Sequence, residues 1–430
     1  MSSMTPAEDA DASRRKLITA AILIVIGVIA TTLAQPQVLG RLPLQNLLKN
    51  QLHVSRESSA AFFFWIGMPW YLKPIAGILT DAFPILGSRR KLYLIASSVL
   101  TSAGWIAIIF LPHAYGPLLW GCLVLSIFQV VASSAIGGYM VEVAQAVSGS
   151  GRLTAVRNFV DAVVGVLVSP AAGFLASIAF GWTALLSGGV ALILAPAAIF
   201  LLAEQRKRVN ARQIFSNAGQ QLGNVMSART MWSAIGLMAL FYIAPGFGTA
   251  LFYRQQNELH MTTQMQGFNG FLGSVAAVSA ALLYGVICRK LNLRTLLLIG
   301  LGAATIGNLG YLGYTTVFAS RIIDPINGFC FTLAELSLMD LAVRATPAGS
   351  ESVGFSLMMS IRNIGLFGSD WAGSAMIDRL HTPINLLILV NSGTTLITLP
   401  LVFLLPAVLV WKKDEELYVE PPASKTAIQV

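Results

Sequence analysis

Twelve stretches of about twenty mostly apolar residues recur along the chain, each long enough to cross a hydrocarbon core of about 30 Å as a helix. They run approximately over 17–40, 58–83, 92–112, 117–146, 153–178, 182–203, 230–255, 264–288, 295–318, 321–344, 353–378 and 383–411. A backbone in lipid must satisfy its own hydrogen bonds, so this pattern specifies an all-α polytopic membrane protein. Composition agrees, since 55% of residues are apolar and 11% charged, against about 25% charged in a soluble domain. Collagen-like and disordered chains are excluded by the missing Gly-X-Y period and the missing blocks of like charge. Cys122, Cys288 and Cys330 lie in apolar stretches with no CxxC spacing, so neither a disulfide framework nor a zinc site is expected.

The formal charge of +9 is explained by topology rather than by a nucleic-acid partner. With the N-terminus placed in the cytoplasm, cytoplasmic segments hold 19 Lys and Arg residues and the opposite loops hold five. Such a bias puts both termini inside. Arg14, Arg15 and Lys16 precede a first apolar segment without a small-residue cleavage site, so that segment reads as a retained helix rather than a signal peptide. A multi-pass protein of a bacterial inner (plasma) membrane is expected, surrounded by lipid and monomeric.

Residues 204–229 are polar and basic and divide the chain into two six-helix halves. The expected organisation is a cytoplasmic tail over 1–16, an N-terminal half over 17–203, a central cytoplasmic loop over 204–229, a C-terminal half over 230–411 and a second cytoplasmic tail over 412–430. Short internal matches support the division. Arg157-Asn158 and Arg362-Asn363 lie 205 residues apart, RKLYLI from Arg90 and RTLLLI from Arg294 lie 204 apart, and GILTD at Gly77 and GVICR at Gly285 lie 208 apart. Two similar halves around a midplane cavity form a transporter architecture. No GxxxxGK[ST] loop is present, which argues against a nucleotide-driven pump.

Residues 69–93, PWYLKPIAGILTDAFPILGSRRKLY, place Pro69, Trp70, Lys73, Pro74, Gly77, Asp81, Pro84, Gly87, Arg89, Arg90 and Tyr93 in a pattern that resembles the second-helix signature of folate-biopterin transporters. Those belong to the major facilitator superfamily. Gly77, Asp81, Arg89 and Arg90 also resemble that superfamily's loop motif between its second and third helices. A second window, PAGSESVGFSLMMSIRN over 347–363, resembles the family's stretch entering the eleventh helix through Pro347, Gly349, Glu351, Ser360 and Asn363. In the fourth helix the sequence departs from the family: Gly137-Gly138-Tyr139 stands where an acidic residue is usual, with Glu142 nearby. The resemblance implies a fold of twelve helices in two pseudo-symmetric halves and makes folate or a pterin the first substrate expected.

Ionisable groups inside the spans are the strongest functional signal, because a lone charge at the bilayer centre costs at least about 2.5–3.5 kcal/mol. Asp161 lies roughly 14 Å past Arg152, near mid-depth, with Arg157 one turn closer to the cytoplasm. Arg362 is comparably deep in the other half, and Asp370, eight residues on, can share its face within about 80°. Glu335 and Lys73 are also deep. One reading makes these structural pairs, Arg157 with Asp161 and Arg362 with Asp370 or Glu335, that offset each other's desolvation. The other gives an anionic substrate carboxylate to Arg362, Lys73 and Arg157, with Glu335 and Gln35 lining the cavity. Asp161, Glu142 or Asp370 then carries a coupling proton. The two readings are compatible, since a carboxylate that pairs with Arg in one state and protonates in another couples proton movement to a conformational change.

Gly77, Asp81, Arg89 and Arg90 are the candidate gate, through pairing that holds one face closed; a solvated loop obeying the positive-inside rule is the alternative. The run Phe62-Phe63-Phe64-Trp65 with Trp70-Tyr71 can stack a pterin ring or anchor helices at the interface. The histidines form no metal-binding or nucleophilic constellation, so no cofactor, metal or catalytic activity is expected. The expected function is thus that of a proton-coupled secondary transporter of an organic anion working by alternating access, with the solute class implied by the resemblance. The alternatives are a permease for another anionic or amphiphilic solute, such as a cell-wall sugar-peptide, and a non-transporting membrane assembly factor on the same scaffold.

Overall fold

The computed structural model describes residues 6–146, 150–202, 204, 211–347 and 350–411. The tail over 412–430, most of the basic stretch after Glu204, and Gly349 lie outside the described residues. Asp81 and Glu142 fall within helices, but their side chains lie outside the described residues, as does that of Glu351.

In the N-terminal half the helices are α1 (Pro6–Leu33), α2 (Arg41–Asn50), α3 (Arg56–Ile66), α4 (Met68–Tyr71), α5 (Lys73–Ala82), α6 (Lys91–Phe110), α7 (Tyr115–Ala146), α8 (Ser150–Leu175), α9 (Phe180–Leu192) and α10 (Leu194–Leu201). A connecting helix α11 (Ala211–Ser227) leads to α12 (Arg229–Tyr242), α13 (Gly248–Asn257), α14 (Thr263–Ile287), α15 (Leu293–Gly310), α16 (Val317–Ala345), α17 (Glu351–Leu380), α18 (Ile384–Leu401) and α19 (Ala407–Val410). Among the described residues, seven helical stretches are long and apolar enough to cross a membrane: α6, Tyr115–Met140, Phe180–Leu201, α14, Leu293–Gly313, α16 and Ile384–Leu404. The remaining expected spans are the first, second, fifth, seventh and eleventh. The first and fifth appear as the shorter apolar helices Ile18–Leu33 and Phe159–Leu175, the second and seventh are broken, and the eleventh carries Arg362 and Asp370.

The breaks have local causes. The first helix stops at Leu33 rather than at the expected residue 40, because Pro36 cannot continue it. The Ala34 carbonyl accepts hydrogen bonds from Trp105 Nε1 at 2.8 Å and from Gln129 Nε2. The second span is interrupted at Gly67 and Leu72, just before Pro69 and Pro74. Gln37 Nε2 donates to the Phe63 carbonyl at 2.9 Å and the Tyr71 hydroxyl to that of Phe64 at 2.9 Å, so backbone acceptors near the break are satisfied. In the seventh span Asn391 Nδ2 donates to the Pro245 carbonyl at 3.0 Å, and Gly246 N donates to the Ser369 carbonyl at 2.9 Å.

A repeat clearer than those above joins the halves. Asn50-Gln51-Leu52-His53-Val54-Ser55 and Asn257-Glu258-Leu259-His260-Met261-Thr262 are 207 residues apart, and α2 and α13 stand at the same separation. His53 and His260 both have φ 51°. Ser55 then accepts from Ser58 N and Thr262 from Met265 N, both at 3.2 Å, capping the helix that follows. The motif is a helix, a left-handed turn and a hydroxyl cap, built twice.

The two halves meet mainly where α8 packs on α14 and α17 on α3. The Arg89–Lys91 loop marks one end of the bundle, here the basic end; the α2 and α13 loops mark the opposite, distal end. Packing of α17 on the second span is heaviest at α3 and thins through α4 to α5, so the halves are closed together at the distal end. There the approach of α8 to α14 depends on glycine, since a Cβ at Gly173 would lie 2.8 Å from Gly267 Cα. The connection expected as a polar loop contains α11, whose Phe215 ring packs edge-on against Phe83 at 5.9 Å.

Candidate functional site

A cavity of about 200 Å³ opens between α1, α4, α5, α7 and α8. Gln35, Lys73, Arg157 and Asp161, which the sequence singles out, line it together with Trp70 and Thr32. Lys73 sits there because the break at Leu72 starts a new helix with it; Nζ donates to Ser133 Oγ at 3.0 Å and lies 5.2 Å from the Trp70 ring centroid. Arg157 Nε and Asp161 Oδ2 are 3.9 Å apart across one turn, with side chains 37% and 44% exposed. That separation is a loose ion pair rather than a hydrogen bond, so both charges remain available to a ligand. Thr32 Oγ1 is 3.5 Å from Asp161 Oδ1, and Gln35 Nε2 donates to the Thr31 carbonyl at 2.7 Å. The Trp70 indole N–H is buried without an acceptor among the described residues.

The second charged cluster is in the other half. Arg362 on α17 pairs with Glu335 on α16, their side chains 23% and 24% exposed, and its Nη1 donates to Asn363 Oδ1 at 2.9 Å. Tyr242 of α12 stands 5.9 Å beneath the guanidinium. Of the two partners expected for Arg362, the structure brings Glu335 to it and not Asp370. Asp370 is buried further along α17 and accepts from Thr249 N at 2.8 Å and Thr249 Oγ1 at 2.6 Å. It therefore supplies negative charge to the N-terminus of α13 at the break in the seventh span, with Arg41 Nη2 3.9 Å away.

The candidate gate residues separate. Gly77 has no neighbour within 4 Å of where a Cβ would stand. Arg89, Arg90 and Lys91 share a partner that sequence reading left in the central loop: Glu204. Its carboxylate accepts from the N–H groups of Arg89, Arg90 and Lys91 at 2.7, 3.0 and 3.0 Å, and from Ser88 Oγ at 2.6 Å. Glu204 thus caps α6 from a distance. Burial pushes its carboxyl upward, but the Ser88 hydroxyl and the three backbone donors outweigh burial and hold it below the usual carboxylate range. Lys91 Nζ donates to the Ile199 and Leu202 carbonyls at 2.8 and 3.1 Å, completing the end of α10. Arg90 is only 4% exposed, and its guanidinium occupies the space that a side chain at Gly138 would take. Gly138 of the fourth span is therefore the counterpart of a buried arginine, while Gly137 lines the cavity.

Of the aromatic set, Trp70 lines the cavity, while Phe62–Trp65 pack away from it. Phe62 and Phe63 are buried in a core with Trp105 and Leu125, and Phe64 and Trp65 face Trp371 of the other half at 5.2 and 6.2 Å. The distal closure is polar and charged. Arg56 and the Glu57 N–H meet Asp378, the latter at 2.9 Å, and Arg379 pairs with Glu57. The Tyr253 hydroxyl donates to the Val54 carbonyl at 2.5 Å, while Asn46 and Asn50 meet Gln256. The repeated loops thus close on each other. Lys49, also there, is pushed below its ordinary pKa by burial.

Two packed helical halves, broken helices and a charged cavity beside the break define a multi-pass membrane transporter of the major facilitator type. The chain belongs to the BT1 family, which it matches over residues 36–312 and 314–420. It is 25% identical over 398 residues to the folate-biopterin transporter of Synechocystis sp., covering 86% of this chain and 78% of that protein. It is 22% identical over 391 residues to folate transporter 1 of Plasmodium falciparum, covering 86% and 77%. Among solved structures, a D-xylose-proton symporter superposes with a TM-score of 0.66 at 13% identity, over 91% of this chain and 97% of that one. Nucleoside transporter NupG superposes with a TM-score of 0.62 at 12% identity, over 91% and 98%.

Proposed function

We propose that this chain carries folate or a pterin-like organic anion across the plasma membrane by proton-coupled alternating access, as a monomer. The observation that carries the reading is the cavity in which Lys73 and Arg157 stand with the loosely paired Asp161. Two cations there suit a carboxylate, and Asp161 is placed to exchange a proton as Arg157 engages the ligand. Trp70 and Gln35 offer a ring face, a free indole N–H and an amide, which suit a heterocycle. Arg362, with Glu335, is the corresponding charge in the other half. The relatives named for folate and biopterin favour this solute class over a sugar-peptide.

The basic end is assigned to the cytoplasm by the bias of Lys and Arg, with both termini there, so the distal closure is the outer gate and the described state faces inward. Glu142 and Asp370 are further candidate proton carriers. Gly77, Asp81, Arg89 and Arg90 form the inner latch, through the loop that Glu204 holds.

The test is uptake of radiolabelled folate and of a reduced pterin by proteoliposomes under an imposed inward proton gradient. Uptake is expected to collapse without the gradient and in Arg362→Ala and Asp161→Asn. Correctly inserted wild type that takes up neither solute discards the substrate assignment.

A further inference from the structure

The deep charge that sequence reading passed over is Asp324, in the distal third of α16. No cationic side chain among the described residues lies within salt-bridge distance of it. Its carboxylate instead accepts from three neutral donors: Tyr314 Oη at 2.8 Å and Asn269 Nδ2 at 2.8 Å on Oδ2, and Tyr311 Oη at 3.1 Å on Oδ1. These donors are themselves buried, at 0%, 2% and 7% exposure for Tyr314, Asn269 and Tyr311.

From Tyr314 the hydrogen bonds continue to the distal closure. Lys49 Nζ donates to Asn50 Oδ1 at 3.3 Å, and Asn50 Nδ2 crosses between the halves to Gln256 Oε1 at 3.2 Å. Gln256 Nε2 donates to Gln266 Oε1 at 3.3 Å, Gln266 Nε2 to Gln255 Oε1 at 2.9 Å, and Gln255 Nε2 to Tyr314 Oη at 2.7 Å. Every donor in this series points toward Asp324. The chain therefore runs one way, from an ammonium group in the N-terminal half to a carboxylate in the C-terminal half, and each amide dipole is aligned with the field between them.

We propose that Asp324 is a proton-binding site separate from the central cavity, and that its charge sets the strength of the distal closure through this chain. The ionised carboxylate is the sink toward which every link is polarised. A hydrogen bond to a charged acceptor is roughly twice as strong as one to a neutral acceptor. Protonation removes the charge, obliges one carboxyl oxygen to donate, and weakens the chain down to the Asn50–Gln256 link. Acid on the distal side thus favours opening there. The proposal rests on the alternating-access part of the function above and not on its solute.

The groups facing Asp324 leave it as the titrating member. Tyr311 and Tyr314, at the end of the ninth span, are the titratable neighbours, and phenols stay protonated through this range. The eighth span presents Asn269, and the seventh reaches it through Gln255. On its own helix Arg321, exposed one turn earlier, turns to the Phe268 ring at 5.8 Å. The closure also contains titratable groups outside the chain, which the test separates: the carboxylates Glu57, Glu258, Asp370 and Asp378, and the histidines His53, His260 and His381 at its left-handed turns.

A nitroxide pair at Gln51→Cys and Asn257→Cys, in full-length protein lacking Cys122, Cys288 and Cys330 and held in lipid nanodiscs without solute, reads the distal gap. The long-distance population is expected to rise as pH is lowered from about 7.5 toward the ordinary aspartate range near 4. In Asp324→Asn it is expected to be high at both ends of that range. In Gln256→Ala, a peripheral change that leaves Asp324 and its donors in place, the pH-dependent shift is expected to be lost. A wild-type gap that ignores pH overturns the proposal. So does an Asp324→Asn protein that keeps the wild-type response, which would assign it to another titratable group of the closure, one of Glu57, Glu258, Asp370 and Asp378 or the histidines His53, His260 and His381. An equal opening by sodium at constant pH would replace the proton with a metal cation. Because no solute is needed, failed folate uptake leaves this measurement intact, and its own failure leaves the solute assignment untouched.

Discussion

Arg362 and Glu335 pair between α17 and α16, and the same guanidinium also bonds Asn363. Removing one member leaves the other charge partly buried without its partner, which costs up to about 3–5 kcal/mol in a closed core and less here because both side chains are about a quarter exposed. Glu335→Gln and Arg362→Gln are each expected to lower the thermal midpoint of detergent-purified protein, and the double variant to recover part of the loss. Uptake separates the two readings of the pair. If Arg362 binds the solute, the double variant stays at least roughly tenfold below wild type although its stability returns. Restored uptake would make the pair structural.

Glu204 gives a pH dependence with a defined sign. Its folded pKa is depressed, so its contribution is present above the unfolded value near 4.3 and fades as pH falls through the lower, folded value. Glu204→Gln is expected to cost about 1 kcal/mol at neutral pH, the usual worth of a helix cap. The gap between variant and wild-type melting should close below about pH 4. A gap that stays constant into acid would mean that the carboxylate's charge is not what holds the Arg89–Lys91 loop.

Gly138 and Arg90 occupy adjoining space in the fourth span and the loop after the second. Gly138→Val is expected to displace the buried guanidinium and destabilise by about 1–3 kcal/mol, as overpacking does. Pairing it with Arg90→Ala should lessen the added loss, because the space is then free. A double-variant cycle on thermal melting reads the coupling; simple additivity would show that the two groups do not compete for the site.

Helices and much of the cavity were legible in the sequence for one physical reason: lipid permits few polar groups, so each one kept inside a span is conspicuous. Lys73, Arg157, Asp161 and Gln35 meet at one cavity on that logic. Three things were harder to read. Asp370 and Arg362 share a helix, but the break in the seventh span offers the N-terminus of α13 to Asp370, and helix periodicity carries no information about a neighbour's free N–H groups. Glu204 looked like part of a solvated loop because its partners are backbone N–H groups, which have no sequence signature. Asp324 was not singled out, since it lies near the start of its span beside Pro325 and its partners are neutral side chains on the two preceding spans. The NxLHx[ST] repeat was visible at a separation of 207 residues, and with it the site of the distal closure, but only a comparison of polar loops rather than apolar spans exposes it.

Gly173 and Gly267 bring α8 and α14 together where the halves close. A side chain at either position meets backbone of the other helix, 2.8 Å away, and backbone cannot swing aside as a rotamer can. Gly173→Val and Gly267→Val should therefore force the distal ends apart while leaving each half folded, since the clash lies between halves. The expected readout is faster maleimide labelling of a single cysteine placed at Thr263, which is buried in the wild type and whose carbonyl lies 2.8 Å from where a Cβ at Gly173 would stand. Transport should fall in both variants, because a bundle that cannot close at this end cannot complete the cycle. Unchanged labelling with a lowered melting temperature would show instead that the two helices yield locally, and that the closure is held by the charged contacts of Glu57 and Asp378 rather than by this approach.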